Sequence, residues 1–150
     1  MSAAPIDDAG GERAARPLLI ELPLPVKWAD ADMAGIVHNL VYIRWLEDLR
    51  TRLLELHLPL ERMLADGYAP VIGHTEIDYR RPVAFPAVVR GVLWAPEFGA
   101  KRWVTRAEFL LDDGPPAATA MQWGVFVDLQ TKRPIPLPEA LRQAWLQATR

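Results

Sequence analysis

The hydrophobic period of this chain first changes between residues 28 and 39. Upstream, in "LIELPLPVKW", Ile20, Leu22, Leu24, Val26 and Trp28 alternate with Glu21, Pro23, Pro25 and Lys27. Period two is that of a strand with one buried face. Pro23 and Pro25 cannot donate to a ladder, so the strand belongs at a sheet edge. Downstream, Tyr42, Trp45, Leu46, Leu49, Leu53 and Leu56 recur at steps of three and four, with Arg44, Asp48, Thr51 and Glu55 opposite. This predicts an amphipathic helix from about Asn39 to His57, with Leu40, Ile43 and Leu54 widening its apolar stripe. Asn39 is a plausible N-cap. The linking stretch, "WADADMAGIVHN", puts Asp30, Asp32, Gly35, His38 and Asn39 where strand gives way to helix.

Period two then returns. Strands are predicted at about 70–81, 87–96, 101–112 and 117–128, with turns at "PEFG" and "DDGPP". A short helix, "LPLERMLADG", is closed by Gly67, and "LPEALRQAWLQA" ends the chain as another. Strand, long helix, short helix and a four-strand meander make an α+β domain. Its five-stranded antiparallel sheet is covered on one face by one long helix. Part of the apolar surface stays open in a single copy, so a homodimer or homotetramer is expected.

The chain has 150 residues, the size of one domain with one core. Its formal charge is −2 with no long basic run, which gives no reason to expect nucleic acid. There is no cysteine, so disulfides, thiolate nucleophiles and thiolate metal sites are excluded, and a cytoplasmic location is expected. No uncharged apolar stretch is long enough for a membrane span. "MSAAPIDDAGGERAARP" lacks the basic start and apolar core of a signal peptide. Residues 1–17 are expected to be a disordered tail and 18–150 the folded domain.

Acidic residues before a helix are often caps, and for Asp30 a hydrogen bond within the loop is the favoured role. Asp32 lies seven residues ahead of Asn39, too far for a simple cap of the long helix. His57 at the helix end suits the dipole when charged. Glu47 and Arg50 read as an intrahelical pair. His38, His57 and His74 show no ligand spacing, so no metal is expected, and no cofactor is required.

The stretch "DADMAGIVHNLVYIRWLEDLR" followed by "IDYRRPVAF" resembles the hotdog-fold acyl-CoA thioesterases of the 4-hydroxybenzoyl-CoA thioesterase family. The family pattern, D-x-D-x-x-G-x-V leading through Asn or His to Tyr, is filled by Asp30, Asp32, Gly35, Val37, Asn39 and Tyr42. "YRRP" (Tyr79 to Pro82) and "RPIPLP" before the last helix also match, so the resemblance covers roughly residues 19 to 148. Some members carry His seven residues after the second aspartate; this chain has Asn39 there and His38 one step earlier.

The resemblance implies a hotdog fold, its sheet wrapped around the long helix, and an acyl-CoA or acyl-carrier-protein thioester as substrate. It places the catalytic carboxylate at Asp32, as general base toward water or as nucleophile. Backbone amides around Val37, His38 and Asn39 would stabilise the oxyanion at the helix N-terminus. Gly35 would let the backbone turn sharply, and the Asn39 amide would orient water or thioester. Tyr42, Val71 and Ile72 would contact the substrate. Arg80, Arg81, Lys101, Arg102 and Arg106 are candidates for the coenzyme A phosphates. A non-catalytic acyl-binding or regulatory module is the alternative from another class.

Overall fold

The computed structural model describes residues 15–150. Its strands are β1 (Ile20–Pro25), β2 (Tyr68–Tyr79), β3 (Val88–Phe98), β4 (Arg102–Leu110), β5 (Ala118–Asp128) and β6 (Pro134–Ile135). Its helices are α1 (Asn39–His57), α2 (Leu60–Asp66) and α3 (Glu139–Ala148). A 3-10 turn, Trp28–Asp30, precedes α1. The periodicities therefore give the right elements, except for two-residue β6, too short to leave a period.

The sheet runs β1-β3-β4-β5-β2, antiparallel throughout, with β6 added alongside the end of β5. This corrects the meander. Of the four strands expected in it, only β3, β4 and β5 are sequential neighbours; β2 pairs with β5 from Tyr68↔Asp128 to Tyr79↔Ala118. The link between β2 and β3 is the reason. Residues 80–87, with Pro82 and Pro86, form no tight hairpin turn and instead cross beneath the loop that precedes α1. There Val37 N–H donates to Val83 O (2.8 Å), Phe85 N–H to Gly35 O (3.0 Å) and Val26 N–H to Ala87 O (2.8 Å). Proline-bearing β1 lies at an edge, as the missing donors require.

The inner face of the sheet carries Leu24, Val89, Leu93, Ala107, Phe109, Ala118 and Phe126, and α1 packs onto it with Val41, Tyr42, Trp45, Leu46, Leu49 and Leu53. Each buried large side chain contributes roughly 1.5–3 kcal/mol. Trp103 lies flat over Gly124, where any Cβ would collide with its indole. Because α1 sits mainly over β1 and β3, the inner surface of β2 is only half covered. The stripe is accordingly narrower than its sequence suggests: Leu40, Ile43 and Leu56 are exposed. Arg50 bridges part of the gap, donating to Gln122 Oε1 (2.8 Å), while Gln122 Nε2 donates to Thr75 Oγ1 (3.0 Å). Arg50 also pairs with Glu47, as expected.

His57 differs from expectation: burial lowers its pKa below the ordinary 6.5, favouring the neutral ring over a charge on the dipole. Of the expected tail, residues 1–14 lie outside the described residues. Arg16 is seated: it forms a forked pair with Glu108 (3.1 and 2.9 Å), and its guanidinium lies 4.1 Å over the Trp94 ring. Pro17 O accepts from Ala95 N–H (2.8 Å). Among the described residues, no helix is long and apolar enough to cross a membrane.

Candidate active site

The loop between β1 and α1 is a small antiparallel finger. Ala31 bridges Val37, and His38 N–H donates to Asp30 O (2.9 Å). At its tip Asp32 N–H donates to Ile36 O (2.8 Å) and Gly35 N–H to Asp32 O (3.0 Å). Closing so tight a turn needs a left-handed residue, and Gly35 supplies it with φ +74°. Ile36 bridges Ala84 of the crossing segment, so the finger rests on the β2–β3 link.

Two aspartates two residues apart meet different surroundings. Asp30 is buried; its carboxylate takes Arg44 Nη1–H at 2.9 Å and Lys27 N–H at 2.8 Å. The bond from Arg44 holds its pKa below the ordinary value, against the opposing effect of burial. Asp32 is exposed at the tip. One oxygen, Oδ1, accepts from Ala34 N–H (2.8 Å) and Ile36 N–H (3.2 Å). Among the described residues Oδ2 has no hydrogen-bond partner. The turn thus fixes the carboxylate through one oxygen and leaves the other toward solvent. It faces an open trough of about 850 Å³ lined by Trp28, Ala31, Asp32, Met33, Ala34, Gly35 and His38.

The helix start corrects one expectation. Val37 and His38 amides are already bonded, to Val83 O and Asp30 O. His38 stands as N-cap without a side-chain cap bond. The first-turn amides of Asn39 and Leu40 have no acceptor among the described residues. They are the donors the helix N-terminus presents. The first turn is pinned from outside by Tyr79, whose hydroxyl donates to Asn39 O (3.0 Å). Asp32 lies two residues along from the Asp30–His38 pairing, ~7 Å of extended chain.

A second groove, about 240 Å³, lies on the other side of residues 36–39 and is lined by Ile36, Val37, Asn39, Tyr42, Tyr79, Arg80, Arg81, Pro82 and Val83. Arg80 is exposed here and makes no ion pair among the described residues. Arg81 is engaged in the 112–115 turn, donating to Pro115 O (2.6 Å) beside Asp112 (3.7 Å). Tyr42 reaches the groove only by an edge. Its ring is buried against Tyr79, Trp45 and Phe109, and burial raises its hydroxyl pKa.

Four expected contributors stand elsewhere. Val71 and Ile72 lie seven to eight positions along β2 from Tyr79, about 25 Å away at 3.3 Å per residue. Within one chain they line neither groove. Arg102 sits over the Trp123 ring (5.1 Å) on the sheet's outer face. Arg106 lines a separate hollow of about 290 Å³ on that face, which Arg80 also reaches. Among the described residues no cluster of three His, Asp or Glu could hold a metal. Trp28 and Tyr79 were not singled out as candidate site residues, although Trp28 opens "WADADMAGIVHN" and Tyr79 opens "YRRP".

Comparison with known proteins places this geometry. Residues 26–145 match the model of the thioesterase-like superfamily. A 1,4-dihydroxy-2-naphthoyl-CoA hydrolase of Synechococcus elongatus is 32% identical over 129 residues, covering 83% of this chain and 92% of that protein. A DHNA-CoA thioesterase from Staphylococcus aureus superposes with a TM-score of 0.76 at 20% identity, covering 87% of each chain. A hypothetical protein from the same organism, solved in complex with CoA, gives a TM-score of 0.83 at 18% identity, over 92% of this chain and 88% of its own. At those identities the two structures show the shared fold, whereas the family match and the curated relative carry the assignment: the chain belongs to the thioesterase-like superfamily of hotdog-fold thioester hydrolases.

Proposed function

We propose that the chain hydrolyses acyl-CoA thioesters, with Asp32 as the activating carboxylate and the Asn39 backbone amide as oxyanion donor. The supporting observation is the asymmetric tethering of Asp32. Oδ1 is held by two loop amides while Oδ2 is unpartnered over an open trough beside the amide-exposing end of α1.

A thioester carbonyl is electrophilic because sulfur donates poorly into it. With the carbonyl oxygen at the Asn39 amide, attack places negative charge where the helix dipole is positive. Asp32 acts in one of two ways. As base, it takes a proton from water while the water oxygen bonds to the carbonyl carbon. As nucleophile, it forms a mixed anhydride that water then opens. In both, the carbon–sulfur bond breaks, coenzyme A leaves as the thiol, and the acyl group departs as the free acid. Tyr79, by fixing the first turn, keeps the amide aimed. Arg80 is placed to meet the phosphates of the departing coenzyme.

The half-covered edge strand β2 supports a dimer in this reading. A second β2 paired antiparallel would run its Tyr68 end toward the first chain's Tyr79. Val71 and Ile72 of the partner subunit would then approach Asn39, a placement the single chain does not achieve.

The test is release of free thiol from a panel of acyl-CoA and acyl-carrier-protein thioesters, followed with a thiol-reactive dye. The panel includes the 1,4-dihydroxy-2-naphthoyl thioester on which the Synechococcus relative is named to act. Release from CoA thioesters is expected. Binding without release of any thiol would overturn the hydrolase reading in favour of an acyl-binding module, and release from carrier-protein donors alone would reassign the substrate.

A further inference from the structure

We propose that Trp28 selects the acyl group: its indole is a fixed platform on which a planar aromatic acyl group stacks while the thioester lies at Asp32. The inference rests on the thioesterase reading and adds to it a residue and a basis for discrimination.

Of the six tryptophans, all within the described residues, five are buried or half-buried. Trp28 is 79% exposed. It is nevertheless held in place. Its 3-10 turn is closed by Asp30 N–H to Lys27 O (2.9 Å) and Lys27 N–H to Asp30 Oδ2 (2.8 Å). Ala31 N–H donates to Trp28 O (3.3 Å), and the ring stands edge-on to Phe85, centroids 5.2 Å apart at 83°. An edge contact of this kind fixes the plane of the indole and leaves a face available.

Trp28 lines the trough together with Asp32, Gly35 and His38. The trough is open, and its form bears on what it can hold. An alkyl chain gains in proportion to the apolar area removed from water, which calls for enclosure on all sides. A planar ring gains most of its contact from one flat partner. Charge sets the direction of binding. Among the described residues no Lys or Arg lines the trough, whereas Arg80 and Arg81 line the groove across residues 36–39. A phosphate-bearing coenzyme is drawn to the second groove, so its acyl group points into the first, toward Trp28.

The test uses nonhydrolysable thioethers, S-phenacyl-CoA and S-(2-oxooctyl)-CoA, with the full chain. Binding is measured by calorimetry for wild type, Trp28→Ala and Trp28→Phe, alongside the ratio of kcat/KM for benzoyl-CoA over octanoyl-CoA. Trp28→Ala is expected to lower the aryl-to-alkyl preference by about 10-fold in both measurements, the worth of one good ring stack with its buried area. Trp28→Phe is expected to restore most of it. An aryl-to-alkyl ratio unchanged within about twofold overturns the proposal. So does a fall in oligomeric mass for Trp28→Ala by light scattering, which would make the ring an interface residue. If the wild type binds both thioethers with the expected Trp28 dependence but hydrolyses nothing, the platform stands and the thioesterase reading fails. If neither thioether binds, both fail.

Discussion

Arg44, in the first turns of α1, donates to Asp30 Oδ1 across 2.9 Å, fastening the helix to the loop that carries Asp32. The two ends differ in exposure: the Asp30 side chain is 2% exposed, that of Arg44 47%. A carboxylate so buried must be satisfied, and Arg44 and Lys27 N–H satisfy it. The pair thereby sets where the finger meets the helix start, the relation on which the proposed cooperation of Asp32 with the Asn39 amide rests.

Arg44→Ala should therefore lower stability by about 1–3 kcal/mol, since a half-exposed partner lets water replace part of what is lost. The effect carries a pH signature. Asp30 has a folded pKa below its ordinary 3.8. Its contribution is whole above 3.8 and is lost as pH falls through the folded value. Without the guanidinium the folded pKa rises, so acid unfolding should begin at higher pH in the variant. Thermal melts across the acid range check this; parallel curves for variant and wild type would show that the pair is electrostatically idle.

Gly124→Ala tests the packing of the sheet's inner face. A Cβ there collides with the Trp103 indole and the Val71 carbonyl, neither of which is free to move aside. The expected cost is about 1–3 kcal/mol, read as a lower denaturant midpoint at unchanged slope.

How much of this was legible in the sequence follows from the range of each cause. The strands and α1 are local, written in periods of two and 3.6, and could be read directly. The Asp32 loop was legible by motif, because glycine and paired aspartates at that spacing are rare by chance. The place of β2 was not: its pairing with β5 spans the 38 residues from 80 to 117 and follows a proline-bearing link that looks like a turn. Nor was the allocation of amides at Val37 and His38, whose acceptors lie at Val83 and Asp30. Arg44 looked like a solvated helix residue because its partner is fourteen positions away. The solvent side of Ile43 and Leu40 is a property of how far α1 reaches across the sheet, which composition does not encode.

Assembly can be checked independently. Among the described residues the sheet ends at β2, a twelve-residue strand with one edge unpaired and its inner face half covered. An edge of that length is a template for pairing unless protected. Light scattering at micromolar concentration should give two or four times 16.9 kDa. The mass of one chain would remove the dimeric completion of the site by Val71 and Ile72.

Truncation separates the seated residues from those before them. Deleting residues 1–14 should leave the melting temperature nearly unchanged, because that segment has little large apolar side chain to bury. Deleting 1–17 should lower it by several degrees, since Arg16 is lost from Glu108 and Trp94 and Pro17 from Ala95. Equal melts for the two deletions would show that the Arg16 contacts contribute nothing in solution.

Asp32→Asn bears most directly on catalysis, and the loop makes it a clean substitution. The amide keeps an oxygen that can accept from Ala34 and Ile36 N–H, so the turn is retained. What it loses is negative charge and basicity, needed to activate water or to attack the thioester. The variant should fold with a matched melting temperature and bind acyl-CoA. Its kcat should fall by at least about 100-fold, the lower end of what a positioned base contributes. Asp32→Ala should differ, because two loop amides lose their acceptor and the finger loosens, so stability and turnover would fall together. Asn39→Ala should retain more activity than either, since the first-turn amide remains when the side chain is removed. Turnover by Asp32→Asn above a tenth of the wild-type rate would leave Asp32 as the cap of its own turn and shift the search to Glu47, an exposed carboxylate on α1.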